Sequence, residues 1–337
     1  MTIGRYGVEL IAEDGIRSAR YANLIGTAGS DHYCLWRLLA KPRCPTLFRT
    51  PALFSKSVSS EERRAAERAE AEAARQQAHA RGETNAVRLP NEGLSTDKIL
   101  RATIAKVREL SPDLRGDYLD VGAGNGELID RVIREFRVTP HACDYRDDLM
   151  TMGNIKVAVA DLNREPLPYA NATFDLVTCT EVIEHLEHYR FALREISRVL
   201  RPGGVFVVTT PNVLNLRSRL RYLFFGFFNM FGPLQIGDDR HHSTHGHINP
   251  VAYFYLAHAL RGAGFRDISV SIDKLQRGSW LPLALLWLPL RVYAAVALRR
   301  EREKYRTLDE TNEPFVRAIN RTELLLGRTI IVGCRKQ

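Results

Sequence analysis

The sequence predicts an α/β protein built on a mostly parallel, seven-stranded sheet with helices on both faces. Three observations carry that reading. From residue 94 to 275, short apolar runs alternate with stretches of helical length, as in repeated strand–helix–strand units. A glycine-rich reversal, Gly122-Ala123-Gly124-Asn125-Gly126, stands where the first apolar run gives way to a helical pattern. Carboxylates at Asp144 and Asp161 close the next two runs, at the sheet edge where such folds receive ligands.

The elements follow in order. Ser95 is placed to cap a helix reaching Leu110, with Ile99, Leu100, Ile104 and Val107 on its apolar side. Residues 117–121 form a short buried strand entering the glycines, and 127–136 continue as a helix. Strands follow at 141–145, 156–160 and 174–179. A helix over 188–200 is stopped by Arg201-Pro202-Gly203-Gly204, and the fifth strand covers 205–210. Residues 250–263 are helical and end at Gly264; 268–272 and 329–333 supply the last two strands.

The core domain is therefore 94–275 together with 328–337, interrupted by insertions at 212–248 and 279–327. Residues 1–93 form a partly helical extension with no assigned role. Within it, 60–79 is Ala-rich with Glu and Arg at helical spacing and no apolar stripe, the composition of a solvated helix. The Gly, Asn and Pro of 81–95 mark the boundary.

Charge and cysteine usage narrow the setting. The formal net charge is +9, which favours an anionic partner: a phospholipid surface, nucleic acid or a phosphorylated substrate. Five cysteines with no C-x-x-C pair argue for reduced thiols and against a disulfide framework or zinc site. The first residues lack the basic-then-apolar pattern of a signal peptide, so a cytoplasmic location is expected.

The glycine spacing is G-x-G-x-G, with Glu127 where a dinucleotide fingerprint needs glycine, which disfavours NAD. Asp144 lies 24 residues after Asp120, placed to accept both hydroxyls of a ribose. Asp161 and Leu162 suit an adenine amino group and ring face. Singly, the glycines could be a packing turn and Asp144 a helix cap. Together, and followed by FDLVTCTEVIEHL, RVLRPGGVFVVTTPN and a final strand, they resemble the class I S-adenosylmethionine-dependent methyltransferases over about 95–275 and 328–336. The resemblance implies a Rossmann-like sheet and S-adenosyl-L-methionine as cofactor. It assigns the cofactor to Asp120, Gly122, Gly124, Asn125, Gly126, Asp144, Asp161, Leu162 and Thr180.

After the fourth strand comes TEVIEHLEH, with Glu181, Glu184 and His185 at i, i+3 and i+4. A helical turn would project all three to one face, where two carboxylates and an imidazole suit Mg²⁺ or Mn²⁺. A cation on a substrate hydroxyl would lower its pKa and orient it for in-line methyl transfer. The E-x-x-E-H string is similar to that of the ubiquinone-biosynthesis O-methyltransferases and the small-RNA 3′-end 2′-O-methyltransferases, and implies a metal at these three residues. Two plainer roles stay open: Glu181 complementing a helix start, and His185 as a lone general base. The RNA group adds a distant histidine, for which the chain offers His241, His242, His245 and His247; His245 or His247 is the expected second contributor to catalysis.

Both insertions are apolar and basic. Residues 212–237 combine Arg217, Arg219 and Arg221 with Leu220, Leu223, Phe224, Phe225, Phe227, Phe228 and Met230, the pattern of an interfacial segment or of a lid. Residues 280–298 have nearly the length of a membrane span but contain Pro282, Pro289 and Arg291; Trp280 and Trp287 suit headgroup depth, and 291–306 hold six Lys/Arg against two Glu. The expectation is a surface-lying element on anionic lipid, at the inner face of the cell membrane, with a substrate lid, a dimer face and a true span as alternatives. The function expected is O-methylation of a hydroxyl on a small-molecule, lipid-linked, glycan or quinone-like acceptor. The rivals are an RNA 2′-O-methyltransferase, disfavoured because the basic stretches adjoin aliphatic runs, and a non-catalytic, cofactor-binding scaffold.

Overall fold

The computed structural model describes residues 95–234 and 246–337. The expected helix at 60–79, most of the 81–95 boundary, and His241, His242 and His245 lie outside the described residues.

Seven strands form one sheet: β1 (Arg115–Val121), β2 (Arg137–Asp144), β3 (Val157–Val159), β4 (Phe174–Thr180), β5 (Leu200–Pro211), β6 (Phe265–Ile272) and β7 (Thr329–Lys336). Their spatial order is β3-β2-β1-β4-β5-β7-β6. Pairings from β3 through β5 are parallel, and β7 runs antiparallel to both β5 and β6. Successive side chains alternate across this sheet and build two separate cores. Tyr118, Leu176, Val205, Val207 and Ile331 face α1 (Asp97–Leu110) and α2 (Glu127–Glu135), against Ile104, Val107, Ile129 and Val132. Their neighbours Leu119, Val177, Phe206, Val208 and Val332 face the other way. There they meet α3 (Tyr189–Val199) and α5 (Tyr253–Gly262) through Leu193, Ile196, Leu256 and Leu260.

Several boundaries differ from the sequence reading. Helix α1 takes Thr96, not Ser95, as its N-cap, and the Thr96 side chain makes no capping bond. The Arg201-Pro202-Gly203-Gly204 segment is not a loop: β5 begins at Leu200, paired to Phe174, and a register shift between Phe174 and Leu176 absorbs the extra residues. Strands β2, β6 and β7 are each longer than their apolar runs, because ladder bonds continue past the buried stretch.

The insertions add α4 (Leu216–Phe225), α6 (Trp280–Arg300), α7 (Glu313–Ala318) and α8 (Thr322–Leu326). Asn215 caps α4, its Oδ1 accepting the Ser218 N–H at 2.8 Å. Helix α6 runs unbroken for 21 residues with Pro289 inside it, so the prolines that argued against a continuous helix do not break it. Leu216 and Leu220 of α4 pack with Leu283, Leu286 and Leu290 of α6 and with Leu325 and Leu326 of α8. Arg219 fixes the arrangement, donating to Leu214 O (2.6 Å), Asn320 Oδ1 (2.8 Å) and Ile319 O (3.0 Å). Buried Asn212 at the end of β5 donates to Leu324 O (2.7 Å) and Gly327 O (3.0 Å), closing the far side.

Candidate active site

Strand β1 carries the glycine turn to the C-terminal edge of the sheet. Gly122, Gly124 and Gly126 all adopt left-handed φ, at 76°, 51° and 82°. A Cβ built on Gly122 would meet Val182 Cγ2 at 2.2 Å, so the turn and the segment after β4 approach as closely as backbone allows. The Gly122 and Ala123 N–H groups donate to Cys143 O, tying the turn to β2. Asp144 ends β2 and takes up the same turn: its Oδ2 accepts the Gly124 N–H at 2.9 Å, and its Oδ1 the Arg146 N–H at 3.2 Å. Burial pushes the Asp144 carboxyl above its ordinary range, opposed by these backbone donors.

Asp120 is buried beneath the turn, its Oδ1 accepting the Thr178 hydroxyl at 2.6 Å, and burial raises it to about 8. Asn125 braces the start of α2 through its Oδ1, which accepts the Glu127 N–H at 3.1 Å. Asp161 follows β3 and turns the chain by accepting the Asn163 N–H at 3.0 Å. The Ala160 N–H donates to Asp144 O, so Asp161 and Asp144 stand on adjacent strand ends. Leu162 is only 7% exposed and belongs mainly to the core, leaving little of it for a ligand.

The TEVIEH segment departs from the helical reading. Only Ile183–His185 form a turn, of 3₁₀ type, and Glu181 has a left-handed φ of 55°. The three residues therefore do not share one helical face. The physical cause is Thr209 on β5: its Oγ1 accepts the Glu181 N–H at 3.0 Å and donates to Glu181 Oε1 at 2.9 Å, holding that residue against the strand. Glu184 goes inward. It is fully buried, its Oε2 accepts the Thr210 hydroxyl at 3.1 Å, and its Oε1 has no hydrogen-bond partner among the described residues. Burial, and then the Glu181 charge, push Glu184 well above the usual carboxylate range, while burial lifts Glu181 to about 7.

The group that does converge is Glu184, His185 and His247, whose ligand atoms all lie within 4.8 Å of one another. Residues 246–249 are strapped over the turn. Ile248 and Asn249 N–H groups donate to Glu184 O at 3.0 and 2.9 Å, and Asn249 Nδ2 donates to Leu186 O at 2.8 Å. Both imidazoles are oriented by carbonyls on Nδ1: His185 by Gly246 O at 3.1 Å and His247 by Met230 O at 3.0 Å. A proton donated from each Nδ1 leaves an Nε2 lone pair, the tautomer a base or ligand requires. Burial also lowers the His247 pKa and favours its neutral form.

A family model described as a methyltransferase domain matches residues 96–270, slightly over half the chain. The chain belongs to the class I S-adenosylmethionine-dependent methyltransferases. This methyltransferase is 31% identical over 111 residues to a ubiquinone/menaquinone biosynthesis C-methyltransferase UbiE of Bartonella quintana, covering 29% of the chain and 43% of that relative. It is 39% identical over 104 residues to a probable S-adenosylmethionine-dependent methyltransferase of Mycolicibacterium smegmatis, covering 28% of the chain and 38% of the relative. The chain thus spans under half the length of either. Among solved structures, an S-adenosylmethionine-dependent methyltransferase from Archaeoglobus fulgidus superposes with a TM-score of 0.43 at 18% identity, over 70% of this chain and 94% of that one.

The methyltransferase's glycine turn and its neighbours suit the family's cofactor on their own chemistry. Thr180 Oγ1, at the end of β4, is buried and has no partner among the described residues. It stands beside the glycine-rich turn and a carboxylate end, both on the same sheet edge. The Glu184–His185–His247 cluster likewise has one oxygen and two nitrogens for a divalent cation, a set that suits Mn²⁺ better than Mg²⁺. Sequence reasoning missed Thr209, Thr210 and Asn249, which position the acidic residues; the TTP at the end of β5 was the available signal. A separate cavity of about 740 Å³ lies between β6, α6 and residues 322–325, and none of the predicted site residues lines it.

Proposed function

We propose that this methyltransferase moves a methyl group from S-adenosylmethionine to a hydroxyl of a lipid-linked, glycan or quinone-like acceptor. The observation that carries the reading is the convergence of Glu184, His185 and His247 at the end of β4, beside the glycine turn. Asp120, Gly122, Gly124, Asn125, Gly126, Asp144, Asp161 and Thr180 would hold the cofactor, which supplies an electrophilic methyl on a sulfonium. The chain's own task is alignment and deprotonation. His185, held by Gly246 O, takes the acceptor proton on Nε2 as the new oxygen–methyl bond forms and the sulfur–methyl bond breaks. Glu181, whose Oε1 accepts the Thr209 hydroxyl at 2.9 Å, shapes the turn that carries Glu184 and His185. As the alternative to a free His185 base, Glu184, His185 and His247 would hold a divalent cation that activates the hydroxyl, in place of the expected Glu181, Glu184 and His185 set. The quinone-like option draws on the UbiE relative, which is a C-methyltransferase by name; a phenol deprotonated by the same base is also activated at ring carbon.

The test is transfer of tritiated methyl into fractionated cell extract, with and without chelator. Label is expected in a lipid or glycan fraction, lost by ~10²–10⁴-fold in His185→Ala and Glu184→Ala with demethylated-cofactor binding retained. Methyl found on carbon would reassign the nucleophile. Label confined to RNA, or no transfer to any fraction, would overturn the proposal.

A further inference from the structure

Two exposed apolar surfaces on this chain belong to one rigid accessory unit. On α6, Leu281, Leu285, Leu288 and Val292 recur at i, i+4, i+7 and i+11 along one face and are 71%, 71%, 63% and 56% exposed. The opposite face, Leu283, Leu286 and Leu290, is the one packed on α4 and α8. On α4, the last turn presents Leu223, Phe224 and Phe225, with Phe224 82% exposed. Because Leu216 and Leu220 join α4 to α6, and Arg219 ties α4 to residues 319 and 320, the two patches keep a fixed relation. A soluble surface rarely leaves so many large apolar side chains of one helix stripe uncovered.

The charges around this area favour an anionic covering. The segment after the stripe carries Arg299, Arg300, Arg302, Lys304 and Arg306. Arg299 pairs with Glu303 and Arg302 with Glu313, whereas no carboxylate among the described residues pairs with Arg300, Lys304 or Arg306. Exposed Trp280 and Trp287 border the stripe, and Arg291 lies over the Trp287 ring at 5.6 Å. Apolar stripe, indole belt and unpaired cations together are the chemistry of an interface with anionic headgroups.

We propose that α4 and α6 form a single docking surface that lies on, and does not cross, an anionic bilayer. By length and composition α6 could span, and only 6% of its apolar window is buried. Yet its Leu283 face is committed to α4 and α8, and crossing would drag the Arg219 and Asn212 anchors into hydrocarbon. Four residues, 212–215, separate α4 from β5, whose Thr209 and Thr210 hold Glu181 and Glu184. Docking therefore sets the catalytic end of the sheet next to the membrane. Docking of this surface does not depend on which acceptor is methylated.

Flotation of the full chain with phosphatidylglycerol/phosphatidylcholine vesicles, against pure phosphatidylcholine, tests it. The chain is expected to float with the anionic vesicles and to be released by alkaline carbonate. Leu285→Glu/Leu288→Glu and Phe224→Glu/Phe225→Glu should each lower the partition coefficient at least about tenfold, from lost apolar burial. Arg300→Glu/Lys304→Glu should lower it several-fold and flatten its salt dependence. Calorimetric binding of the demethylated cofactor, unchanged in all three variants, separates loss of docking from loss of fold or site. Failure of the wild-type chain to float, equal flotation of the apolar variants, retention after carbonate, or a dimer that the same substitutions dissociate would each overturn the proposal.

Discussion

Gly122→Ala is the sharpest probe of the cleft. Two costs fall on this single methyl group. An L-residue at the φ of 76° pays roughly 1–2 kcal/mol for left-handed backbone. The new Cβ also lands 2.2 Å from Val182 Cγ2. That methyl must retreat by about 1.3–1.8 Å to reach the ~3.5–4.0 Å of ordinary carbon contact. Such overpacking typically costs about 1–3 kcal/mol, so the sum is about 2–5 kcal/mol, or a fall in Tm of roughly 4–20 °C for a domain of this size. Val182 sits between Glu181 and Ile183, so its displacement also disturbs the acidic turn, and turnover should fall more than cofactor affinity alone explains. A double-mutant cycle isolates the clash. Val182→Ala alone costs about 1–2 kcal/mol, and adding it to Gly122→Ala should recover about 1–3 kcal/mol, leaving the backbone strain. The measurement is thermal denaturation of all four proteins with and without demethylated cofactor. If the two substitutions add within ~0.5 kcal/mol, the wedge between the glycine turn and the acidic turn does not exist.

Thr209→Val keeps the shape of its side chain but removes both side-chain bonds to Glu181, leaving the backbone bond from Glu181 N–H to Thr209 O; kcat should fall roughly ten- to hundredfold with cofactor affinity unchanged, and an unaltered kcat would remove Glu181 from the working site. Asp120 has a folded pKa of about 8, above the ordinary unfolded value near 3.8, so the folded protein binds its proton more tightly. Its contribution to stability is full below about pH 4 and is lost as pH rises through about 8; Tm–pH curves should therefore be flatter for Asp120→Asn across that window, and parallel curves would refute the assignment. Asn212→Ala strips the Leu324 carbonyl of its buried donor, at about 1–3 kcal/mol, and leaves Gly327 O only the 3.4 Å bond from Gln276 Nε2. Limited proteolysis should then speed up within residues 275–327, and an unchanged cleavage rate would show that this anchor is dispensable.

The sheet was legible because parallel strands buried on both faces read as apolar runs, and the connecting helices as periodic ones. The placement of the glycines and of Asp144 was legible because it depends on backbone conformation and strand ends, which are local properties. The acidic turn was not. Periodicity placed Glu181 on a helical face with Glu184, but two bonds from Thr209, on another strand, hold Glu181 in left-handed backbone. No local pattern reports such a contact. His247 reaches His185 across 62 residues, so sequence could name it as a contributor but not set it apart from its neighbours. Likewise Pro202-Gly203-Gly204 carries every mark of a loop, yet Leu200 is paired to Phe174 and the strand runs through it.

The placement of β7 governs how the molecule is made. Among the described residues, strand β6 has β7 as its only strand partner, and β7 is also what attaches it to β5. During synthesis, then, 265–272 must wait undocked until 329–336 have cleared the ribosome. In that interval the longest apolar helix of the described chain is already outside the exit tunnel, without the finished sheet behind it. In a nascent chain, that apolar face is therefore exposed before the sheet that orders it is complete.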